Sequence, residues 1–212
     1  MSTSPSDIIL LDSDAFALLA VSDLIHHLPT VYNTKLNAFR RLGAIQAQMQ
    51  RQSFQNYSAP DCKKVFSWTK KIASVDAEPR SPSLEAFLED EDSIDEGEAV
   101  LFSLLIDNPG WRMVTGDLKA LTALATSVHL ESSRAKLKGR IACVESIIAE
   151  LRKKIGYENV MKALVPHAAK RAVIESLFPH GDKTVQVICE SAELEVLQTI
   201  QGPMNVGFLQ FL

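Results

Sequence analysis

The sequence lacks several features that mark whole classes of protein. No apolar run approaches the length of about 20 residues that a membrane-spanning helix needs, so we expect no membrane association. The first residues, MSTSPSD, show no basic region followed by an apolar stretch, which argues against secretion and favours a cytoplasmic location. Only three cysteines occur, Cys62, Cys143 and Cys189, and their wide spacing matches no metal-binding pattern. We therefore expect reduced, buried thiols.

Positive charge is also scarce, and its distribution is uneven. The net charge of −4 argues against simple electrostatic adhesion to nucleic acid. Residues 85–98, however, contain eight acids and no base, which leaves 22 basic against 18 acidic residues elsewhere. An acidic, solvated loop is the commoner explanation of such a run, and polyanion binding through cations is the alternative. The pairs Lys63–Lys64 and Lys70–Lys71 flank an aromatic stripe, which is typical of a solvated helix face, with phosphate contact as the rarer use.

Strand and helix patterns alternate along the chain. Its 212 residues are enough for one large hydrophobic core. Strand patterns occupy 7–12, 30–34, 112–115 and 139–144. Helix patterns occupy 14–28, 35–52, 61–75, 94–105, 117–130, 145–156, 157–178 and 182–200. Asp14 is expected to cap the first helix and Pro29 to end it. The alternation predicts an α/β fold with a mainly parallel central sheet and helices on both faces.

Three acids are expected at one edge of that sheet. Asp12 ends the first strand, and Asp117 follows the strand at 112–115. Glu98 opens the helix that precedes the same strand. In open α/β sheets, ligands bind outside the carboxyl ends of the strands, so these three residues are candidates for a shared site.

Helix capping is the simpler explanation of each acid taken singly. Asp12 or Asp14 would cap the first helix, and Asp117 its own helix. Asp95-x-x-Glu98 has capping-box spacing, with an acid in place of Ser or Thr. Capping does not require the acids to meet, whereas a hard cation does, because Mg²⁺ or Mn²⁺ is held by a few carboxylates and water. Such a site would activate water for phosphodiester hydrolysis.

Three stretches, LLDSDAFALL, IDEGEAVLFSLL and MVTGDLKALTAL, occur in this order and resemble the PIN-domain family of metal-dependent nucleases. The resemblance covers about 7–160. It implies a PIN-like three-layer α/β/α fold in which Asp12, Glu98 and Asp117 are catalytic metal ligands and Thr115 places a hydroxyl beside them. Asp14 and Asp95 are candidate supporting ligands.

The resemblance also implies a function and a domain division. The expected activity is that of an endoribonuclease dependent on Mg²⁺ or Mn²⁺, with RNA as substrate and DNA as the alternative. Some relatives are toxins silenced by a small antitoxin, so a toxin-like role and an antitoxin-like partner are part of this expectation. The PIN-like domain would span 1–160, with a helical elaboration at about 35–93. A helical extension at 161–212 would pack on it, and the oligomeric state, a homodimer included, stays open.

One departure from the family keeps two alternatives open. Many members place an acid in the helix after the second strand, and the equivalent region here, KLNAFRRL, has none. This favours a catalytically impaired PIN-like interaction scaffold as the first alternative. The second is a haloacid-dehalogenase-like phosphatase, since DSDAF resembles its D-x-D motif, although no further acid follows the Gly-Asp of VTGD closely.

Overall fold

The computed structural model describes residues 8–45, 57–75, 82–90 and 94–170, which form an α/β fold around an all-parallel sheet. The described strands are β1 (Ile9–Leu11), β2 (Phe39–Leu42), β3 (Ser74–Val75), β4 (Arg112–Thr115) and β5 (Ile141–Cys143). Their order across the sheet is β3-β2-β1-β4-β5, with every neighbouring pair parallel. The predicted fold class, α/β with a mainly parallel sheet, is confirmed at this level.

Helices cover both faces of the sheet. The described α-helices are α1 (Ser13–Val21), α2 (Leu28–Val31), α3 (Ala59–Thr69), α4 (Pro82–Asp90), α5 (Glu96–Asp107), α6 (Leu118–Thr126), α7 (Glu131–Leu137), α8 (Val144–Ile155) and α9 (Tyr157–Leu164). Alternate residues of β1 enter two separate cores: Ile9 and Leu11 pack with α1, α3, α8 and α9, and Leu10 packs with α4, α5, α6 and α7. This arrangement is compatible with three α/β/α layers. None of the described helices is long and apolar enough to cross a bilayer.

The second strand is not where the pattern placed it. Residues 30–34 were expected to form a strand, but they hold the end of α2 and a turn, with Asn33 at a φ of 48°. The helix expected at 35–52 is wrong at Phe39–Leu42, which form β2. Arg41 made this strand hard to detect. Its buried guanidinium donates to the carbonyls of Leu42 and Thr69, both at 3.0 Å, so the fold supplies partners that the local sequence does not reveal.

The first helix is shorter than expected. It ends at Val21, because Ser22 turns its hydroxyl back to the Leu18 carbonyl at 2.7 Å and Asp23 adopts a left-handed conformation with a φ of 57°. Pro29 therefore does not stop it, and instead lies in the first turn of α2, where a missing N–H costs no helix bond.

Several other predictions can be placed. The strand at 112–115, the turn at NPGW and the Gly156 end of α8 are confirmed, and the strand predicted at 139–144 forms only over Ile141–Cys143. The region 35–93, expected to be a helical elaboration, contributes β2 and β3 to the sheet as well as helices. Cys143 is a buried, reduced cysteine, whereas Cys62 is only partly buried. The helix predicted at 182–200, Cys189 and most of the proposed C-terminal extension lie outside the described residues.

Candidate functional site

Two of the three predicted acids follow β1 and β4, which are neighbours in the sheet, and the third, Glu98, lies on α5 ahead of β4. From β1 the chain builds β2 and β3 on one side, and β4 and β5 lie on the other, so the connectivity reverses between β1 and β4. Such a reversal opens a crevice at the carboxyl ends of the two strands, where α/β proteins bind ligands. Asp12 directly follows β1 and Asp117 follows β4 through Gly116.

Asp12 uses its carboxylate to join the two strands. It is only 5% exposed, and its Oδ2 accepts hydrogen bonds from the Thr115 hydroxyl at 3.1 Å and from the Gly116 N–H at 3.4 Å. Asp12 occupies the N-cap position of α1 but makes no side-chain capping hydrogen bond to that helix. Capping therefore does not account for this carboxylate.

Thr115 is held so that its hydroxyl must donate to Asp12. The hydroxyl oxygen accepts a hydrogen bond from the Asp117 backbone N–H at 3.0 Å, and the Thr115 side chain is fully buried. A hydroxyl whose oxygen is already an acceptor has its proton free to donate, and the Asp12 carboxylate is its acceptor. The order of donation is Asp117 N–H to Thr115, then Thr115 to Asp12. The structure thus brings together three of the predicted site residues.

Two of the acids do cap helices. Asp117 Oδ1 accepts a hydrogen bond from the Ala120 N–H at 2.8 Å at the start of α6. Asp95 Oδ1 accepts from the N–H groups of Gly97 at 2.7 Å and Glu98 at 3.0 Å at the start of α5. The capping explanation is confirmed for both residues. A cap uses one carboxylate oxygen, so it does not prevent Asp117 from acting as a ligand as well.

Glu98 is the most strongly perturbed acid of the group. It is 7% exposed, and burial raises its pKa to about 9, assisted by a hydrogen bond with the Asp95 side chain and by the negative charges of Asp95, Asp12 and Asp117. The same hydrogen bond lowers the pKa of Asp95. At neutral pH Glu98 is therefore a neutral acid that donates its proton to an ionised Asp95.

Asp12 is perturbed in the same direction. Burial raises its pKa to about 6, and the negative charge of Asp14 contributes, against the lowering effect of its hydrogen bonds with Gly116 and Thr115 and of the nearby Asp14 N–H, which does not reach capping geometry. The Asp14 side chain itself is exposed. Asp14 thus acts on the site through its charge.

Gly97 shows why a small residue precedes Glu98. A Cβ at this position would lie 3.1 Å from the Asp95 carboxylate oxygen that caps α5. That contact is tighter than nearly all real Cβ contacts, so a larger residue would push the carboxylate away from the helix N-terminus. The glycine of the Gly-Glu-Ala stretch therefore supports the pairing of Asp95 with Glu98.

The donor set fits a hard cation in its chemistry, since it consists of carboxylate oxygens and a hydroxyl. Burial is the main cause of the raised pKa of Glu98, repulsion from the neighbouring acids adds to it, and a cation would relieve that repulsion. As the side chains stand, however, no group of three or more His, Cys, Asp or Glu residues in the described ranges could hold a metal ion. The acids at the carboxyl ends of β1 and β4, called here the acidic crevice, therefore do not form a complete ligand set as they are placed.

Two contributors escaped the sequence reasoning. The Gly116 N–H donates to Asp12, and Asp95 acts as the hydrogen-bond partner of the Glu98 side chain. The first could have been inferred from the Thr-Gly-Asp turn, because a glycine next to a strand end leaves its N–H accessible. The second depends on the burial of Glu98, which no local pattern encodes.

No protein-family model, curated protein or solved structure matches the chain. The resemblance of the three stretches to PIN domains therefore stays a prediction, and the geometry of the site is the evidence for its role.

Proposed function

We propose that the chain is a PIN-like endoribonuclease that hydrolyses phosphodiester bonds with the help of Mg²⁺ or Mn²⁺. In this proposal Asp12, Glu98 and Asp117 bind the cation at the crevice between β1 and β4. RNA as the substrate, and the toxin-like role with an antitoxin-like partner, come from the family resemblance alone.

The observation that carries the proposal is the meeting of Asp12 with the Thr115–Asp117 segment at the carboxyl ends of β1 and β4, with Glu98 buried near enough for both charges to contribute to its raised pKa. These acids come from three separate segments and reach the same crevice, which capping does not require. Burying several acids together raises the free energy of the folded protein, and such perturbed groups cluster at functional sites, where the perturbation serves the chemistry. The all-parallel sheet with helices on both faces also supports the PIN-like assignment.

The residues divide the work as follows. Thr115 fixes the orientation of Asp12, and the helix cap fixes Asp117. Glu98 has to release its proton to become a ligand, and Asp95 accepts its hydrogen bond until then. A bound Mg²⁺ or Mn²⁺ would lower the pKa of a water molecule and stabilise charge on the phosphate.

Cleavage of a labelled single-stranded RNA in Mn²⁺, with EDTA as the blank, tests this proposal. Asp12→Asn and Glu98→Gln are expected to remove cleavage, because each deletes a negative ligand. Glu96→Gln is the matched control, since Glu96 lies two residues from Glu98 on the same helix but is exposed. Cleavage that survives both site variants would show that the activity resides elsewhere.

An interaction scaffold without catalysis is the second candidate. It is favoured by one observation, the missing ligand group of three or more among the described residues. The melting temperature separates the two functions, because a ligand that binds only the folded protein stabilises it. If neither Mn²⁺ nor Mg²⁺ raises the melting temperature at any pH up to about 9, where Glu98 ionises, the scaffold is the better description.

A further inference from the structure

One helix surface away from the acidic crevice has a composition that the catalytic proposal does not use. It consists of Lys63, Phe66, Lys70 and Lys71 on α3 and the turn that follows it, and is called here the α3 basic face. All four side chains are exposed. Lys63, Phe66 and Lys70 are spaced three and four residues apart, so they share one side of the helix.

Phe66 is the unusual member of this face. It is 46% exposed, one of few large apolar side chains exposed in the described residues. The Lys70 Nζ lies 4.8 Å from the centre of its ring, so a cation accompanies an open aromatic surface. Lys71 stands in the same way over Trp68, at 4.2 Å, but the Trp68 ring is buried. Of these two rings, Phe66 is the one exposed to a partner.

The charge of the α3 basic face is not neutralised by its own helix. Residues 59–71 contain four lysines and a single acid, Asp61, which is buried and forms the capping box with Ser58 at the start of α3. Within the described parts of the chain, Lys64 is the one lysine of the four that pairs with a carboxylate, that of Asp23 at 2.8 Å. The whole chain has a net charge of −4, so this local concentration of lysines around an exposed ring is unusual. The lysines favour an anionic partner, and the ring favours one that carries flat apolar groups.

We propose that the α3 basic face binds single-stranded nucleic acid, with lysine contacts to phosphates and a base stacked on Phe66. Single strands combine the two features that this face complements, a regular anionic backbone and exposed aromatic bases. An acidic polypeptide would satisfy the lysines but would leave the ring without a stacking partner. The inference rests on the proposed function, because it takes the bound strand to be the substrate that is cleaved at the acidic crevice.

The position of the face is consistent with an extended substrate. Lys64 Nζ donates to the Val21 carbonyl at 3.0 Å, which fixes α3 beside the last turn of α1, while Asp12 lies at the first turn of α1. The nine residues of α1 span about 13 Å. That distance corresponds to about four stacked nucleotides, at about 3.4 Å per nucleotide. Because this is the length of α1 only, a strand cut at the crevice would need at least about four nucleotides beyond the cut to reach α3.

Fluorescence anisotropy with a labelled single-stranded RNA of about 12 nucleotides, long enough to span that distance, tests the inference in EDTA, where no cleavage occurs. Lys63→Gln/Lys70→Gln is expected to weaken binding and to reduce the slope of log affinity against log salt by about 1.4, about 0.7 for each lost phosphate contact. Phe66→Leu keeps an apolar side chain but loses the ring, and should weaken binding about fivefold or more. Lys136→Gln/Lys138→Gln removes two exposed lysines elsewhere and should leave binding unchanged.

The outcomes distinguish this inference from the nuclease proposal. If RNA binding depends on the α3 basic face but no cleavage occurs in Mn²⁺, the inferred binding role of the face is supported and the nuclease proposal is contradicted. Cleavage with equal binding by all variants would support the nuclease and overturn the face. The inference would also be overturned if poly-glutamate competed fully with RNA and the Phe66→Leu variant bound RNA as tightly as the wild type. That result would identify an acidic polypeptide as the partner.

Discussion

The Thr115 hydroxyl donates a hydrogen bond to the Asp12 carboxylate across 3.1 Å, although the two residues are 103 positions apart. The bond joins the carboxyl ends of β1 and β4 at the point where the sheet connectivity reverses. It is buried and is backed by a second bond from the Asp117 N–H. The orientation of Asp12 is thus set by the neighbouring strand rather than by the helix that Asp12 precedes.

Thr115→Val tests the importance of this bond, because valine keeps the shape of threonine and lacks the hydroxyl. The Asp117 N–H loses its acceptor and Asp12 loses a donor, so we expect a loss of about 1–3 kcal/mol in the free energy of unfolding. The pKa of Asp12 should rise further above about 6, since the lost bond favoured its ionised form. Urea unfolding and NMR titration of Asp12 measure the two effects. Thr115→Ser keeps the hydroxyl and should leave the pKa of Asp12 unchanged. An unchanged pKa of Asp12 in Thr115→Val would show that the Thr115 hydroxyl does not donate to this carboxylate.

Asp117 allows catalysis and capping to be separated. Asparagine caps helices about as well as aspartate, so Asp117→Asn should retain the melting temperature while abolishing RNA cleavage. Asp117→Ala removes the acceptor for the Ala120 N–H, and should lose about 0.5–2 kcal/mol of stability as well as the activity. Thermal unfolding and cleavage assays on the two variants give the comparison. If Asp117→Asn cleaves RNA at the wild-type rate, capping is the whole role of this residue.

The raised pKa of Glu98 predicts that the free energy of unfolding falls as the pH rises. Its pKa is about 9 in the folded protein against 4.5 for an ordinary glutamate, so the folded state binds the proton more tightly. Unfolding in this window releases a proton, and the free energy of unfolding therefore falls as the pH rises from about 4.5 to about 9. Asp12 adds a fall in the same direction between 3.8 and about 6.

Glu98→Gln cannot ionise and should remove the larger part of this fall. Relative to the variant, the wild type is expected to lose up to about 1.4 kcal/mol per pH unit within the window. Urea unfolding of both proteins at several pH values is the measurement, and Glu96→Gln is the exposed control. Parallel profiles of wild type and Glu98→Gln would mean that Glu98 does not hold a proton in the folded protein.

Metal binding should be linked to the same proton. A cation requires ionised ligands, so binding of Mn²⁺ displaces the Glu98 proton and its affinity rises by up to about tenfold per pH unit below about pH 9. The rise in melting temperature caused by Mn²⁺ should accordingly be larger at about pH 8.5 than at about pH 6.5, and EDTA should reverse it. In Glu98→Gln the Mn²⁺ effect should be smaller and should change little with pH well above the Asp12 pKa of about 6. A wild-type effect that does not change with pH would contradict the assignment of Glu98 as a ligand.

The sequence allowed the outer features of the fold to be predicted, and it failed where long-range contacts override local pattern. The buried strand before Asp12 and the helix after Asp95 follow from apolar runs bounded by polar residues, and both are confirmed. The strand at Phe39–Leu42 was missed because two arginines interrupt it, and because its apolar spacing also fits a helix. Only a fold that offers the Thr69 carbonyl to Arg41 makes a strand possible there.

The sequence by itself determined that Asp12, Glu98 and Asp117 stand next to the ends of strands and the starts of helices, because those positions follow from local periodicity. Only the tertiary structure decided what each carboxylate does. It turns Asp12 towards Thr115, leaves Asp117 as a cap, and buries Glu98 until its pKa reaches about 9. The physical reason is that desolvation and the repulsion between charges depend on distances through space, and such distances are fixed only when separate segments pack together.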